Sequence, residues 1–264
     1  MTTVGYQPLQ GVVAVVTGGT GLLGSRFVSA LESAGAKTVS LDIRTPPPGS
    51  AGRALVCDIT QAQQLHEAFD AIEQMVGTPS ILVNNAGQDI RPDAPQDTNG
   101  PFEEYAEQAW DAVLDSHLKG AFLVSREFFR RYRAADLNAG SIINISSVHG
   151  LVAPDQEMYA HRRAAGSQFF KPVAYTVAKA GMIGFTKWLA EYGAPLGVRA
   201  NAIAPGGVLA GQDEEFTREY AKRTMTGRMG APDDCTGALL LLASSASAYI
   251  TGTTLVVDGG FTAR

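Results

Sequence analysis

Short runs rich in apolar and β-branched residues recur along the chain at 12–16, 38–41, 54–56, 81–83, 141–145, 198–203 and 254–257. Each has the length of a strand. Between them lie longer segments of helical period, at 22–33, 61–76, 110–133, 173–192 and 233–243. Strand-length runs that are apolar throughout, and alternate with helices, are the signature of a parallel sheet covered on both faces. The expected fold is therefore a Rossmann-type α/β/α three-layer domain with about seven parallel strands. The 264 residues, 45% of them hydrophobic, suffice to build it as a single unit over 1–264.

A net charge of −5 argues against a nucleic-acid partner. No stretch reaches the ~18 apolar residues needed to span a bilayer, and residues 1–10 lack the basic-then-apolar pattern of a signal sequence. A cytoplasmic protein with no membrane partner is expected. Cys57 and Cys235 are the only cysteines and have no ligand-like spacing, so neither a disulfide nor a metal site is expected. Two segments break the alternation, 90–101 and 151–172, while the proline-rich 45–52 reads as a stiff surface loop.

After the first run comes Thr17-Gly18-Gly19-Thr20-Gly21-Leu22-Leu23-Gly24, with GxGxxG at Gly19, Gly21 and Gly24 where a helix should open. Glycines there permit a tight turn and close approach of backbone amides to a pyrophosphate at the helix start. Asp42 closes the second run, 18 residues after Gly24, where a carboxylate can accept from both adenosine ribose hydroxyls and repels a 2′-phosphate. NAD is thus favoured over NADP, although Arg44 could pair with such a phosphate.

From about residue 11 to 260 the chain resembles the single-domain short-chain dehydrogenases/reductases. The resemblance rests on five ordered segments: Asn84-Asn85-Ala86-Gly87, Asn144-Ile145-Ser146-Ser147, Tyr175-Thr176-Val177-Ala178-Lys179, Asn201 through Pro205-Gly206, and Thr251-Gly252 through Asp258-Gly259-Gly260. It implies that Asp58, with its neighbour Ile59, lies near the adenine and that residues 84–87 (Asn84, Asn85, Ala86, Gly87) line the ribose side. Pro205, Gly206 and Val208 would border the nicotinamide, whose carboxamide Val208 would meet through its backbone. It further implies that Lys179 binds the nicotinamide ribose, that Ser147 hydrogen-bonds the substrate oxygen, and that Tyr175 is the acid/base group. Residues 110–133 and 173–192 would pair between subunits of a homotetramer or homodimer.

Removing an alcohol proton as hydride departs requires a base within hydrogen-bond reach. A phenol titrates near ~10, and an adjacent ammonium brings the phenolate toward neutral pH. Lys179, four residues after Tyr175, shares its helix face. The activity implied is interconversion of a secondary alcohol and a ketone. A non-catalytic dinucleotide-binding scaffold and an epimerase working through a transient ketone are the alternatives.

Several positions depart from the family pattern. In Asp115-Ser116-His117-Leu118-Lys119-Gly120, His117 replaces the usual Asn, and a relay role and a structural role are both open. Ala210 stands where the family often has a Thr that reaches the cofactor phosphate. Leu22 stands where the commoner single-domain glycine loop has Gly, a form nearer to that of the larger epimerase and dehydratase relatives. Ser147 and Tyr175 are 28 positions apart, about twice the family's usual separation, because 151–172 is inserted. Within it, Tyr159-Ala160-His161-Arg162-Arg163 competes with the Tyr175 motif but carries Arg163 at the lysine position. His161, Arg162, Arg163 and Lys171 suit either a phosphate or carboxylate on the substrate or a solvated basic face. The insertion is similar to those of bacterial sugar-modification oxidoreductases, including nonulosonic-acid pathways, which implies a small, polar, sugar-like substrate.

Overall fold

The computed structural model describes residues 8–45, 48–49, 52–88, 95–166 and 169–264. The N-terminal segment at 1–7, parts of the proline-rich loop, the start of the 90–101 segment and positions 167–168 of the insertion lie outside the described residues. Seven strands form one sheet: β1 (Val13–Thr17), β2 (Lys37–Asp42), β3 (Arg53–Val56), β4 (Ile81–Asn84), β5 (Gly140–Ile145), β6 (Val198–Pro205) and β7 (Thr254–Val257). All pairings are parallel, in the order β3-β2-β1-β4-β5-β6-β7. Every residue of β1, β4 and β5 is buried, which is why these strands read as mainly apolar runs without polar alternation.

Successive side chains on a strand enter opposite layers. Ile142 joins a core with Phe69, Phe128 and Tyr132 under α2 (Ala62–Val76), α4 (Gly120–Ala134) and α6 (Val173–Gly193). Its neighbour Ile143 joins Phe27, Leu31 and Leu239 under α1 (Leu22–Ser33) and α8 (Thr236–Ala243). The strand order reverses between β1 and β4, so the loops after Thr17 and Asn84 diverge and open a crevice at the carboxyl edge of the sheet.

The helix expected at 110–133 starts earlier and is interrupted. It runs as α3 (Glu107–Leu114), a π-helical turn (Asp115–Lys119) and α4. A π turn adds a residue to one turn, and such bulges concentrate at functional sites; this one carries His117. The expected helix at 233–243 begins as a 3₁₀ turn (Pro232–Cys235) before α8. The insertion forms a 3₁₀ turn (Gln156–Tyr159) and the short α5 (Ala160–Ala164), and α6 then starts after Pro172.

One helix, α7 (Glu214–Arg223), was not anticipated from the apolar pattern. Its signals are polar: Asp213 caps it by accepting from the Phe216 amide at 2.8 Å, Glu214 and Glu215 fill the first turn, and Lys222 and Arg223 the last. Its apolar side carries Phe216 and Tyr220, which meet the insertion in a satellite core with Met158, Tyr159, Phe169 and Met229. Tyr159 stacks on Phe216 (centroids 5.2 Å, planes at 22°) and meets Phe169 edge-on at 4.7 Å.

Cys57 and Cys235 are buried free thiols, each pushed up to about 11, chiefly by burial. No helix among the described residues is long and apolar enough to cross a membrane. Nor do the described residues contain three or more His, Cys, Asp or Glu side chains grouped to hold a metal ion.

Candidate active site

The crevice is built from the ends of β1 and β4 outward. Thr17 Oγ1 accepts from the amides of Asn85 and Ala86 at 3.0 Å each, and Asn85 Nδ2 donates to the carbonyls of Thr17 (3.0 Å) and Gly18 (3.1 Å). Asn85 thereby props the glycine loop. A Cβ on Gly19 would lie 2.2 Å from Ser40 Cβ, and one on Gly24 would lie 2.0 Å from the Gly18 carbonyl oxygen. Close packing therefore demands glycine at both positions, and Gly18 itself sits at φ +66°.

Helix α1 starts at Leu22 after Gly21, with no side-chain cap and no acidic residue in its first turn. The amides of Gly18, Thr20 and Gly21 are committed within the protein, to the Leu41 carbonyl, Asp42 and the Gly18 carbonyl, so the leading amides of α1 at Leu22 and Leu23, at the positive end of the helix dipole, are the donors that fit a dinucleotide pyrophosphate.

Asp42 ends β2 and is 6% exposed. Its Oδ2 accepts from the amide (3.0 Å) and hydroxyl (2.6 Å) of Thr20, and its Oδ1 accepts from the amide (3.0 Å) and Nε (3.5 Å) of Arg44. Burial works against ionisation, but the hydrogen bonds from Thr20 and Arg44 outweigh it and hold Asp42 below the ordinary carboxylate range. The carboxylate thus braces the glycine loop, and Arg44 lies on that carboxylate.

Two neighbours, Asn84 and Ile59, turn their side chains away from the crevice. Asn84 does not line the crevice: it is 2% exposed and donates through Nδ2 to Ser125 Oγ (3.0 Å) and Asn144 Oδ1 (2.8 Å) inside the protein. It ends a strand buried on both faces, so its side chain enters the core. Ile59 likewise turns inward, packing where Gly120 leaves room on α4, so contact with an adenine would fall to its backbone. Asp58 is engaged locally, its Oδ1 accepting from the amide (2.9 Å) and hydroxyl (2.8 Å) of Thr60 at the entrance to α2.

On the other side of the crevice, Ser147 follows β5 and caps a 3₁₀ turn (Val148–Gly150), its Oγ accepting from the His149 amide at 3.2 Å. Two bonds staple this strand end to α6: Ser146 Oγ donates to the Lys179 carbonyl (2.7 Å), and Lys179 Nζ donates to the Ile145 carbonyl (2.9 Å). Ser146 is spent on the staple, whereas Ser147 stands beside it at the crevice edge. Lys179 is 5% exposed, with its ammonium 5.6 Å from the ring centroid of the half-buried Tyr175 one turn earlier on α6.

His117 approaches the same ring edge-on, with centroids 5.8 Å apart and planes at 87°. Its Nε2 lies 2.9 Å from the Gln88 carbonyl oxygen. A carbonyl only accepts, so that nitrogen carries the proton and a neutral ring keeps its lone pair on Nδ1. The ring occupies the space a side chain at Gly87 would need: a Cβ there would lie 2.1 Å from Cε1.

Beyond β6, the Gly206 amide donates to the Val257 carbonyl (2.9 Å), and a Cβ on Gly206 would lie 2.9 Å from Asp258 Cα, so Pro205 and Gly206 run hard against β7. Val208 bridges to Gly230, and Gln212 braces the turn by accepting from the Ala210 amide (2.7 Å) and donating to the Val208 carbonyl (2.9 Å). Gln212 was not singled out in the sequence; it supports the loop at the place where Ala210 lacks a hydroxyl.

His161, Arg162 and Arg163 of the insertion are ion-paired, so they form neither an open anion site nor a solvated face. His161 and Arg162 both meet Asp213, the former at 3.1 Å; Arg163 meets Glu157 at 2.7 Å; and Arg223 of α7 reaches back to Asp155 at 2.8 Å. These pairs hold the insertion against α7. Tyr159, buried at 7% exposure in the aromatic cluster, is a packing residue. Sequence reading also missed the proximity of Lys171 to Tyr175, 4.3 Å from ammonium to ring centroid. Its spacing, four residues before Tyr175, was the available signal.

Comparison with known proteins places the chain among its relatives. Residues 12–221 match the family model for short chain dehydrogenases. The chain is 32% identical to the D-threitol dehydrogenase of Mycolicibacterium smegmatis, over 97% of this chain and 95% of that protein. It is also 32% identical to the 2-dehydro-3-deoxy-D-gluconate 5-dehydrogenase of Escherichia coli, over 97% of each. Among solved structures, a short chain dehydrogenase from Leptospira borgpetersenii with bound NAD+ superposes with a TM-score of 0.86 at 34% identity, covering 97% of this chain and 94% of that one.

Proposed function

Because the chain belongs to the short-chain dehydrogenase/reductase family, we propose that it is an NAD-dependent oxidoreductase interconverting a secondary alcohol and a ketone on a small polyol- or sugar-like substrate. The observation that carries this reading is the double staple between β5 and α6, which holds the Ser147 turn and the Tyr175–Lys179 helix as one rigid wall of the crevice facing the glycine loop. Relatives named for threitol and for a deoxy sugar acid support the substrate class, and Asp42 at the end of β2 supports NAD over its phosphorylated form.

In the oxidative direction, Ser147 Oγ hydrogen-bonds the substrate oxygen and fixes its distance from the phenol of Tyr175. Tyr175, as phenolate, takes the hydroxyl proton; NAD+, which the glycine loop and Asp42 would hold, would supply the acceptor for the hydride that leaves the carbinol carbon. Lys179, kept in place by the Ile145 carbonyl, stabilises the phenolate by its positive charge. The Nε2–H of His117, committed to Gln88, leaves Nδ1 as the atom able to accept a proton passed inward from the site. In reduction the same groups act in reverse, with Tyr175 donating.

The whole chain acts as one catalytic unit in this reading, and it assembles as a dimer or tetramer. The support for assembly is an aromatic surface on α4 and α6: Phe122, Trp188 and Tyr192 are 46%, 60% and 41% exposed, and Trp188 stacks on Tyr192 at 5.0 Å.

The test is direct. Purified protein incubated with NAD+ and a panel of tetritols, pentitols, hexonates and sugar phosphates should generate NADH with at least one of them, and NADP+ should serve worse. Failure across the panel in both directions, with NADH still bound, would point to a binding protein instead.

A further inference from the structure

The insertion at 151–172 delays Tyr175 in the chain, and its end is built with unusual care. Gln156 grips the backbone of Lys171 on both sides, accepting from its amide at 2.9 Å and donating to its carbonyl at 3.2 Å. The preceding Phe170 donates its amide to the Asn99 carbonyl at 2.7 Å and lies under the Arg163 guanidinium at 5.3 Å, while Phe169 is buried in the satellite core. His161, Arg162 and Arg163 of the insertion face carboxylates. Lys171 holds its ammonium 4.3 Å from the ring centroid of Tyr175, closer than Lys179 at 5.6 Å. Lys179 lies one turn after Tyr175 on α6, whereas Lys171 lies four residues before it in the extended segment that enters the helix through Pro172, so the phenol has a cation on either side of it in the chain.

We propose that Lys171 is a second positioning cation for Tyr175, and that the insertion serves to seat its ammonium on the phenol ring and favour the phenolate. This rests on the reading of Tyr175 as the acid/base group. A cation over an aromatic face within about 6 Å is attracted to it, and the attraction strengthens when the ring carries a negative charge. Among the described residues, other groups near Tyr175 are engaged elsewhere, uncharged or kept protonated. Lys179 of α6 is tethered to Ile145, His117 of the π turn shares its proton with Gln88, and the Ser147 hydroxyl at the end of β5 is uncharged. Tyr220 of α7 is kept protonated, pushed up to about 12, chiefly by burial.

The test is the ultraviolet titration of phenolate absorbance in protein without added cofactor, taking the difference between each variant and its Tyr175→Phe counterpart to isolate Tyr175. Lys171→Met should move the Tyr175 midpoint upward by about one pH unit, and Lys171→Arg should restore most of that shift. Because Gln156 holds only the backbone of Lys171, the substitutions leave the clamp intact; Lys171→Gln carries the same expectation and guards against a packing defect in the Met variant. With any substrate found active, the acid limb of kcat/KM should move by the same amount. An unmoved midpoint in both Lys171→Met and Lys171→Gln overturns the proposal, as does an upward move in Lys171→Arg equal to theirs. If Tyr175→Phe retains full turnover, the acid/base reading itself fails, whatever the titration shows.

Discussion

Substituting Gly87 by Ala should damage both stability and activity through one side chain, His117. The new Cβ would stand 2.1 Å from Cε1, 2.2 Å from Nδ1 and 2.8 Å from Nε2 of that ring, where carbon atoms prefer about 3.5–4.0 Å. Gly87 is absent from the positive-φ glycines, so the penalty is steric and not a matter of backbone strain. The ring, 4% exposed and wedged between Gly87 and the edge of Tyr175, can yield only by leaving Gln88. Overpacking of this kind costs about 1–3 kcal/mol, and loss of the hydrogen bond adds about 1 kcal/mol. Urea unfolding at fixed protein concentration should therefore show a loss of about 2–4 kcal/mol with little change in slope. In the double variant Gly87→Ala/His117→Ala the obstructing ring is gone, and the combined cost should fall short of the sum of the singles by about 1–3 kcal/mol. Strict additivity, or a Gly87→Ala variant within about 0.5 kcal/mol of wild type, would refute the claim that Gly87 exists to admit the imidazole.

Arg131, which meets Glu127 (2.8 Å), Glu73 (2.9 Å) and Asp70 (2.5 Å), is the hub between α2 and α4, and Arg131→Met should cost about 3 kcal/mol by leaving Glu127 buried without its main partner. Burial opposes ionisation of Glu127, but Arg131, His66 and Arg130 hold it below its ordinary 4.5, so the cost should be full above that pH and shrink as acid protonates the carboxyl; a cost independent of pH, read from urea melts, contradicts this. Tyr159→Phe should keep activity, whereas Tyr159→Ala should lose about 3–5 kcal/mol by emptying the satellite core; loss of turnover in a stably folded Tyr159→Phe would reinstate the competing motif. Trp188→Glu should shift sedimentation to a smaller species, and an unchanged species would remove α6 from the subunit interface.

The strands were legible because a strand buried on both faces leaves a mainly apolar run with no in-out alternation, as the wholly buried β1, β4 and β5 do. The glycine loop and the Tyr175–Lys179 pair were legible because each is local, its spacing set by one turn of chain. What stayed hidden depends on contacts far apart in sequence. Arg162 and Asp213 are 51 positions apart, so a basic stretch that looked open is an ion-paired clasp on α7. The fit of His117 into the space left by Gly87 crosses two elements. The π turn keeps the helical period almost intact and so leaves no mark on the apolar pattern. Helix α7 was missed for another reason: it buries only Phe216 and Tyr220, one turn apart, and its signature lies in the Asp213 cap and in charges that run with the helix dipole.

The central claim is that Tyr175 exchanges the proton. Its most direct measurement compares wild type with Tyr175→Phe, reading NADH affinity by fluorescence and turnover of one active polyol or sugar acid in the same preparations. NADH affinity should stay within about threefold, less than 1 kcal/mol, while kcat falls at least about a hundredfold, the contribution expected of a general acid/base. A Tyr175→Phe enzyme that binds NADH normally and turns over within a few-fold of wild type would contradict the account.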